Sequence, residues 1–164
     1  LSKNNFILGS NRGEELNSNE MPKNYFKNIS NVQIKAGIKS LSSLKELNRL
    51  RLKNANDYTS FLKSNNKNHV KAEYFNNHMF LKYPLLVKDR ESFNSAARRM
   101  KVLLGDWFVS PLHPVEGELN KWFFETAKFP VACRLAKCLV NLPTDVRSVE
   151  SVIEFLETNL YLIE

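Results

Sequence analysis

Two cysteines and three histidines are the side chains of this sequence best suited to bind a metal ion or act as nucleophiles. Cys133 and Cys138 lie five residues apart, which places them about 140° apart around a helix. Zinc ligands must converge on one tetrahedral centre, so this pair cannot present two thiolates to one ion. We therefore expect structural thiols and no metal site, and two cysteines are too few to indicate a disulfide framework.

The three histidines differ in their surroundings. His69 and His78 flank a predicted strand in a region rich in lysine and asparagine, so we expect both of them on the surface. His113 precedes a proline at the start of residues 111–129, a long predicted loop with the aromatic run WFF. Loops of this kind often carry binding residues, so this segment is the first place to look for function.

The charge of the chain is unevenly distributed. The net charge is +7, and residues 1–90 contain 16 Lys and Arg against 7 Asp and Glu, while residues 91–164 contain 8 against 10. A basic first half could meet phosphate groups, which keeps nucleic-acid binding as an alternative. We favour a solvated surface instead, because the basic residues are interleaved with asparagine and acidic residues and form no dense patch with aromatic platforms.

Length and composition indicate one ordinary globular domain. The chain has 164 residues, of which 43% are hydrophobic and 25% charged, enough to bury a core. Its uncharged apolar runs are only a few residues long and no signal-peptide pattern opens it, so we expect no membrane partner and a cytoplasmic location. The first residue is Leu1, which we interpret as the start of a partial or processed chain.

The pattern predicts one long helix over residues 28–64, preceded by an irregular arm over residues 1–27. Apolar residues cover most of the circumference of this helix, and the remaining strip is polar. The apolar positions include Ile34, Ile38, Leu41, Leu44, Leu47, Leu50, Leu52, Ala55, Tyr58, Phe61 and Leu62. Such a helix is expected to contact two bodies, of which one small domain can supply only one.

The sequence pattern after residue 64 predicts a small sheet and three helices. Residues 78–88 read as a strand with Pro84 at an edge or bulge, followed by a helix that Asp89 caps and Gly105 ends. Residues 106–110 are a predicted second strand that pairs with the first. The apolar face of the helix after Asp89 comprises Phe93, Ala96, Ala97, Met100 and Leu104.

Further helices are predicted towards the C-terminus. Pro130 opens a helix that runs to about Cys138, residues 139–142 form a third short strand, and Thr144 or Asp145 caps the last helix. The last helix places Val149, Val152, Ile153, Leu156 and Leu160 on one face. The predicted fold class is α+β, in which residues 28–164 form a long helix followed by a small antiparallel sheet of two to three strands covered by helices.

Five segments of the chain are informative when taken together: MPKNYFKNISNVQIKAGIKSL, ELNRLRLKNANDY, FLKYPLLVKDR, LGDWFVSPLHPVEG and FPVACRLAKCLVNLPTD. In this order they resemble the C-terminal part of the DegT/DnrJ/EryC1/StrS family of pyridoxal-phosphate-dependent sugar aminotransferases. The segment GSNRGEELN also resembles the link that precedes this part in one branch of the family. The resemblance implies the small domain of a fold-type-I aminotransferase, with the long helix running into it from the large domain.

The same resemblance implies what partners and cofactor the chain has. In this family the large domain supplies the lysine that forms the Schiff base with pyridoxal phosphate (PLP) and the aspartate that pairs with the pyridinium nitrogen. No lysine of this chain lies in the expected context, so no catalytic residue is assigned and the chain is expected to be inactive alone. The implied parent is a homodimer that transfers an amino group from an amino acid to a nucleotide-linked keto sugar.

Three residues are substrate-binding candidates by resemblance. His113 matches the histidine that the family brings toward the sugar nucleotide, and Trp107 and Phe108 lie on the strand that leads to it. His113 could donate a hydrogen bond to a hydroxyl or phosphate group, and Trp107 could stack on a ring. Two alternatives stay open, a half-exposed loop histidine at position 113 and a core tryptophan at position 107.

The cofactor-phosphate contact is where the chain departs from the family. Many members carry an asparagine just before the long helix that reaches the cofactor of the other subunit, and Phe26 is nearest that place here. Asn28 and Asn31 are the neighbouring candidates. A non-catalytic dimerisation or interaction module derived from the family is the alternative function.

Overall fold

The computed structural model describes Met21 and residues 26–164. Most of the predicted irregular arm and the whole GSNRGEELN segment lie outside the described residues. The regular elements are α1 (Asn31–Ser42), α2 (Leu44–Ser64), β1 (Lys82–Leu86), α3 (Arg90–Arg99), α4 (Pro130–Cys138), β2 (Leu139–Pro143) and α5 (Glu150–Thr158). Short 3-10 helices lie at Ala72–Asn76, Leu119–Trp122, Thr126–Lys128 and Leu160–Leu162.

The long helix is interrupted at Ser43, so the prediction of one continuous helix is wrong there. The hydroxyls of Ser40, Ser42 and Ser43 donate to the carbonyls of Ala36, Lys39 and Ser40 at 3.0, 2.7 and 3.0 Å. Serine side chains that bond back to the preceding turn compete with the backbone ladder and bend helices. A run of serines therefore divides the segment into α1 and α2.

The two helices differ in what they bury. The second half of α2 enters the core through Asn54, Ala55, Tyr58 and Leu62, whereas α1 buries no residue. The N-terminus of α1 is nevertheless well formed, because Ser30 and Gln33 form a capping box. The exposed apolar side chains of α1 include Val32, Ile34, Ile38 and Leu41.

The sheet consists of β1 and β2, which pair antiparallel from Lys82 opposite Pro143 to Leu86 opposite Leu139. Side chains alternate between its faces. The inner face packs into the core with Tyr83, Leu85, Val140 and Leu142. On the outer face, Pro84 lies opposite Asn141.

The predicted second strand is wrong. Residues 106–110 form an irregular turn. The residue before the turn, Gly105, makes an isolated bridge to Asn141, and no residue of the turn itself belongs to a strand. The partner of β1 is instead the segment predicted as a third short strand. Aromatic β-propensity favoured residues 106–110, but propensity alone does not decide which segment pairs.

The ends of the helices follow local signals only in part. Asp89 caps α3, since its carboxylate accepts a hydrogen bond from the Ser92 N–H at 2.7 Å. The helix ends at Arg99 because Lys101 adopts a φ of 58°, so Gly105 does not terminate it. Pro130 begins α4 as predicted.

The prediction that Thr144 or Asp145 caps the last helix is wrong. Val149 precedes α5 without any side-chain cap. The Thr144 hydroxyl is buried and donates to the Phe80 carbonyl at 2.6 Å, so it fixes the chain entering β1. The predicted apolar face of α5 is confirmed: Val149, Val152 and Leu156 are buried, and Ile153 and Leu160 are packed against the core.

The α+β class is therefore confirmed, with helices on the inner face of a two-stranded antiparallel sheet. Within residues 26–164, Cys138 is buried, Cys133 is half-buried, and both are free thiols. The described part of the chain contains no cluster of three metal-ligating side chains. No described helix is long and apolar enough to cross a membrane.

Candidate functional site

The residues from Gly105 to Phe108, here called the aromatic turn, pass close to β2. The Gly105 N–H donates to the Asn141 carbonyl at 2.8 Å. A Cβ atom on Gly105 would lie 3.0 Å from the Asn141 Cβ, tighter than nine in ten real Cβ contacts, so a glycine suits this close approach. Phe108 has a φ of 62°, which reverses the chain and leaves Trp107 and Phe108 exposed beside the outer face of the sheet.

Two side chains hold the carbonyl groups of the aromatic turn. The guanidinium of Arg90 donates to the carbonyls of Trp107 and Phe108 at 3.1 and 2.9 Å. The Asn141 amide also donates to the Trp107 carbonyl, at 3.1 Å. The backbone of the turn is therefore fixed from α3 and from β2, although it belongs to neither a helix nor a strand.

His113 lies next to this turn. Its ring is half-buried and packs against Phe108 at a centroid distance of 5.8 Å. The bend that carries it is closed by the Ser110 hydroxyl, which donates to the Val115 carbonyl. The Nδ1 atom of His113 is buried and has no hydrogen-bond partner among the described residues.

An open groove of about 570 Å³ covers the outer face of the sheet. Trp107 and Phe108 form one wall, and the segment 69–78, here called the histidine wall, forms the opposite one. A second depression of about 260 Å³ extends the groove and shares His69, Val70 and Pro84 with it. The lining residues are His69, Val70, Lys71, Tyr74, His78, Phe80, Leu81, Lys82, Pro84, Trp107, Phe108 and Asn141.

The histidine wall was missed as a candidate site. His69 and His78 are exposed, as predicted for surface residues, yet both line the groove. The orientation of the His78 ring is fixed by a hydrogen bond, which its Nδ1 accepts from the Phe80 N–H at 2.9 Å. No local pattern in the sequence indicates that this segment faces Trp107, which lies about thirty residues further along the chain.

The groove combines aromatic surface with groups that can carry positive charge. Lys71, Lys82 and the two histidines line it, and no carboxylate is among the lining residues. Lys82 is only loosely paired, with its Nζ 4.0 Å from the Asp145 carboxylate. A lining of this type suits a ligand with a flat ring and an anionic group.

The groove does not fit PLP on its own. The cofactor needs a lysine for its Schiff base and an acidic partner for its pyridinium nitrogen. Lysines are present, but no lining residue of the groove is acidic. The described residues therefore bring together a binding surface, without the complete set of groups that holds this cofactor.

The sequence-predicted site residues are only partly brought together. Trp107 and Phe108 line the groove, and His113 lies behind Phe108 without lining it. Asn28 and Asn31 are exposed at the start of α1 and contribute nothing to the groove. Arg90 and Asn141, like the histidine wall, are functional candidates that the sequence did not indicate.

Comparison with known proteins places this sequence in a family. A sequence model of the DegT/DnrJ/EryC1/StrS aminotransferase family matches residues 8–155 of the 164-residue chain. No curated protein and no solved structure gives a match. The match covers the helices α1 to α4, both strands, the aromatic turn and the first two thirds of α5. The chain therefore belongs to the DegT/DnrJ/EryC1/StrS aminotransferase family.

Proposed function

We propose that this chain forms the C-terminal small-domain part of a PLP-dependent aminotransferase acting on a nucleotide-linked keto sugar. Membership of the family supports amino transfer as the chemistry. The groove over the sheet supports the substrate class, because its lining joins an aromatic wall to cationic side chains. This lining is the observation that carries the proposal.

Each part of the groove suits one part of such a substrate. Trp107 is 39% exposed, so part of the indole is available to a nucleotide base or a sugar ring. Lys71 and Lys82 supply charge for a diphosphate, and no lining carboxylate opposes it. A nucleotide sugar presents both features, a flat base and two phosphates, on one extended molecule.

His113 is the proposed hydrogen-bond donor at the end of the groove. Its ring does not line the groove but packs against Phe108, which does, and the contact between the two rings sets its orientation. A histidine at this place can donate one hydrogen bond to a sugar hydroxyl or a phosphate oxygen. Trp107, Phe108 and His113 are therefore the proposed substrate-binding residues.

The cofactor chemistry is proposed to come from a large domain. When bound, PLP supplies the electron sink that stabilises the carbanion of amino transfer. The groove has no acidic residue to pair with its ring nitrogen, so we assign the chain the tasks of binding the substrate and covering the cleft. Asn28 and Asn31 stay proposed contacts to a cofactor phosphate across a homodimer.

A binding experiment tests the groove. The chain is titrated with uridine diphosphate and thymidine diphosphate, and with uridine as the uncharged control, while the heat of binding is recorded by calorimetry. We expect Trp107→Leu to weaken diphosphate binding about 5- to 160-fold, since stacking on a base contributes roughly 1–3 kcal/mol. Trp122→Leu is the matched control, because Trp122 is 36% exposed and lies outside the groove. Equal loss in both variants would contradict the proposal.

A second experiment tests the reaction. The complete gene product, or this chain combined with a separately encoded large domain, is given PLP, glutamate and a nucleotide-linked keto sugar. Amino sugar should form in that mixture and not with this chain alone. A single-site lysine adduct on this chain, trapped with borohydride after PLP is added, would place the cofactor machinery here and overturn the proposed division of roles.

A dimerisation module without catalysis is the second candidate function. It is favoured by α1, whose residues Val32, Ile38 and Leu41 are more than 60% exposed. Apolar surface of this extent normally marks an interaction site, and two-fold pairing is its commonest form. Sedimentation over a hundredfold concentration range distinguishes the two functions, since self-association without nucleotide binding supports the module.

A further inference from the structure

Arg90 connects three separate parts of the fold. It is the first residue of α3, and its guanidinium donates to Trp107 and Phe108 in the aromatic turn. The same group donates to the carbonyl of Ala136 in α4 at 3.2 Å. All three acceptors are backbone carbonyls, so the guanidinium supplies the carbonyls of Trp107 and Phe108 with donors that no described backbone N–H supplies.

The position of Arg90 is unfavourable for a positive charge. It lies in the first turn of α3, where the helix dipole is positive and acidic residues are preferred. No ion pair to Arg90 is formed by any described carboxylate. Burial lowers the pKa of Arg90, and the more distant charges of Asp106 and Glu116 oppose this shift. Charge pairing therefore does not explain why an arginine occupies this position, whereas the directed hydrogen bonds of its guanidinium do.

We infer that Arg90 is a positioning residue that holds Trp107 and Phe108 in place as one wall of the groove. The turn contains no regular secondary structure, and both aromatic side chains are more than a third exposed. Packing alone thus leaves them free to turn away from the sheet. The role of this wall in substrate binding rests on the proposed function, but its geometry does not.

Lysine cannot replace Arg90 in this role. The planar guanidinium presents several N–H groups in a fixed fork, which matches two adjacent carbonyls and a third from α4. An ammonium group is a compact point charge and cannot keep these directions. A variant with lysine therefore retains the charge and loses the arrangement.

The test uses Trp107 as its own probe. The sequence contains two tryptophans, so Trp122→Phe leaves Trp107 as the sole emitter in the full chain. In this background we compare Arg90→Lys with Arg99→Lys, a matched control on the exposed end of the same helix. Acrylamide quenching and emission anisotropy are recorded well below the unfolding midpoint, together with far-UV circular dichroism.

Arg90→Lys should raise the quenching constant of Trp107 about twofold and lower its anisotropy, because a 39%-exposed indole has room to become more accessible. Arg99→Lys should leave both unchanged. Asn141→Ser removes the other side-chain donor to Trp107 and should shift the probe in the same direction, which keeps the test valid if Arg90→Lys does not fold. Unchanged Trp107 signals in a folded Arg90→Lys protein would overturn the inference. A shifted probe in a chain that binds no nucleotide would instead reject only the proposed function.

Discussion

The hydroxyl of Tyr58, in the middle of α2, donates a hydrogen bond to the carbonyl of Pro143 at the end of β2, with a distance of 2.7 Å. Tyr58 is fully buried, and its ring packs edge-to-face with the ring of Tyr83 at a centroid distance of 5.5 Å. Burial raises the pKa of Tyr58, so the phenol stays neutral and remains a donor. This contact ties the long helix to the sheet that forms the floor of the groove.

Tyr58→Phe should destabilise the chain by about 1–3 kcal/mol, because the Pro143 carbonyl is left buried without this donor. The ring and its packing are retained, so the loss reports the hydrogen bond. Urea unfolding at neutral pH measures the change. Tyr161→Phe is the control, since that side chain is 65% exposed and should change the free energy of unfolding by less than about 0.5 kcal/mol.

Two glycines should respond to alanine in opposite ways. A Cβ at Gly105 would meet the Asn141 Cβ at 3.0 Å, so Gly105→Ala should destabilise the chain and displace the aromatic turn. Gly37 lies within α1 with nothing within 4 Å of a built Cβ, so Gly37→Ala should stabilise that helix by about 0.5–1 kcal/mol. Circular dichroism follows α1, and Trp107 emission follows the turn. Similar emission in wild type and Gly105→Ala would contradict the close approach.

The cap at Asp89 predicts a dependence of stability on pH. Hydrogen bonds from Ser92 lower the pKa of Asp89 in the folded chain. The unfolded state therefore takes up the proton first as pH falls, and stability present above the unfolded pKa of about 3.9 is lost as pH passes through the lower folded value. Asp89→Ser keeps a capping oxygen that does not titrate. The difference in free energy of unfolding between wild type and this variant should change steeply only below about pH 4. A difference that stays constant down to about pH 2 would refute the role of the Asp89 carboxylate as the cap.

Local signals were sufficient to predict several elements of the fold. Two of these signals are Pro130 at the first position of α4 and the carboxylate of Asp89 before α3. Both act within one helical turn, so they can be recognised from the sequence alone. The strand pairing was missed because it depends on which segment reaches β1. Residues 106–110 have the stronger aromatic β-propensity, but Leu139–Pro143 occupies the place beside β1.

The site was harder to predict than the fold for the same reason. Trp107 and Phe108 were proposed from the family resemblance, but the strand assigned to them does not exist. The carbonyls that Arg90 holds belong to residues 17, 18 and 46 positions further along the chain. No spacing rule connects positions so far apart. Long-range hydrogen bonds of this kind become visible only when the folded backbone is known.

His113 provides the sharpest test of the proposed binding role. Its ring touches Phe108, and its buried Nδ1 has no partner among the described residues, so truncation removes no hydrogen bond that this atom makes to them. The bend around it is held instead by Ser110 and Val115. His113→Ala should therefore change the free energy of unfolding by less than about 0.5 kcal/mol, because the main loss is its contact with the exposed Phe108 ring.

The same substitution should weaken function if His113 donates to the substrate. A single neutral hydrogen bond contributes roughly 0.5–1.5 kcal/mol, so binding of a nucleotide sugar should fall about 2- to 12-fold. Ser110→Ala is the structural comparison, because it should loosen the bend and lower stability as well as binding. Parallel titrations of the two variants with one nucleotide sugar, each paired with urea unfolding, separate the two effects. A large loss of stability in His113→Ala would show that the histidine supports the bend, and the role carried over from the family would then be wrong.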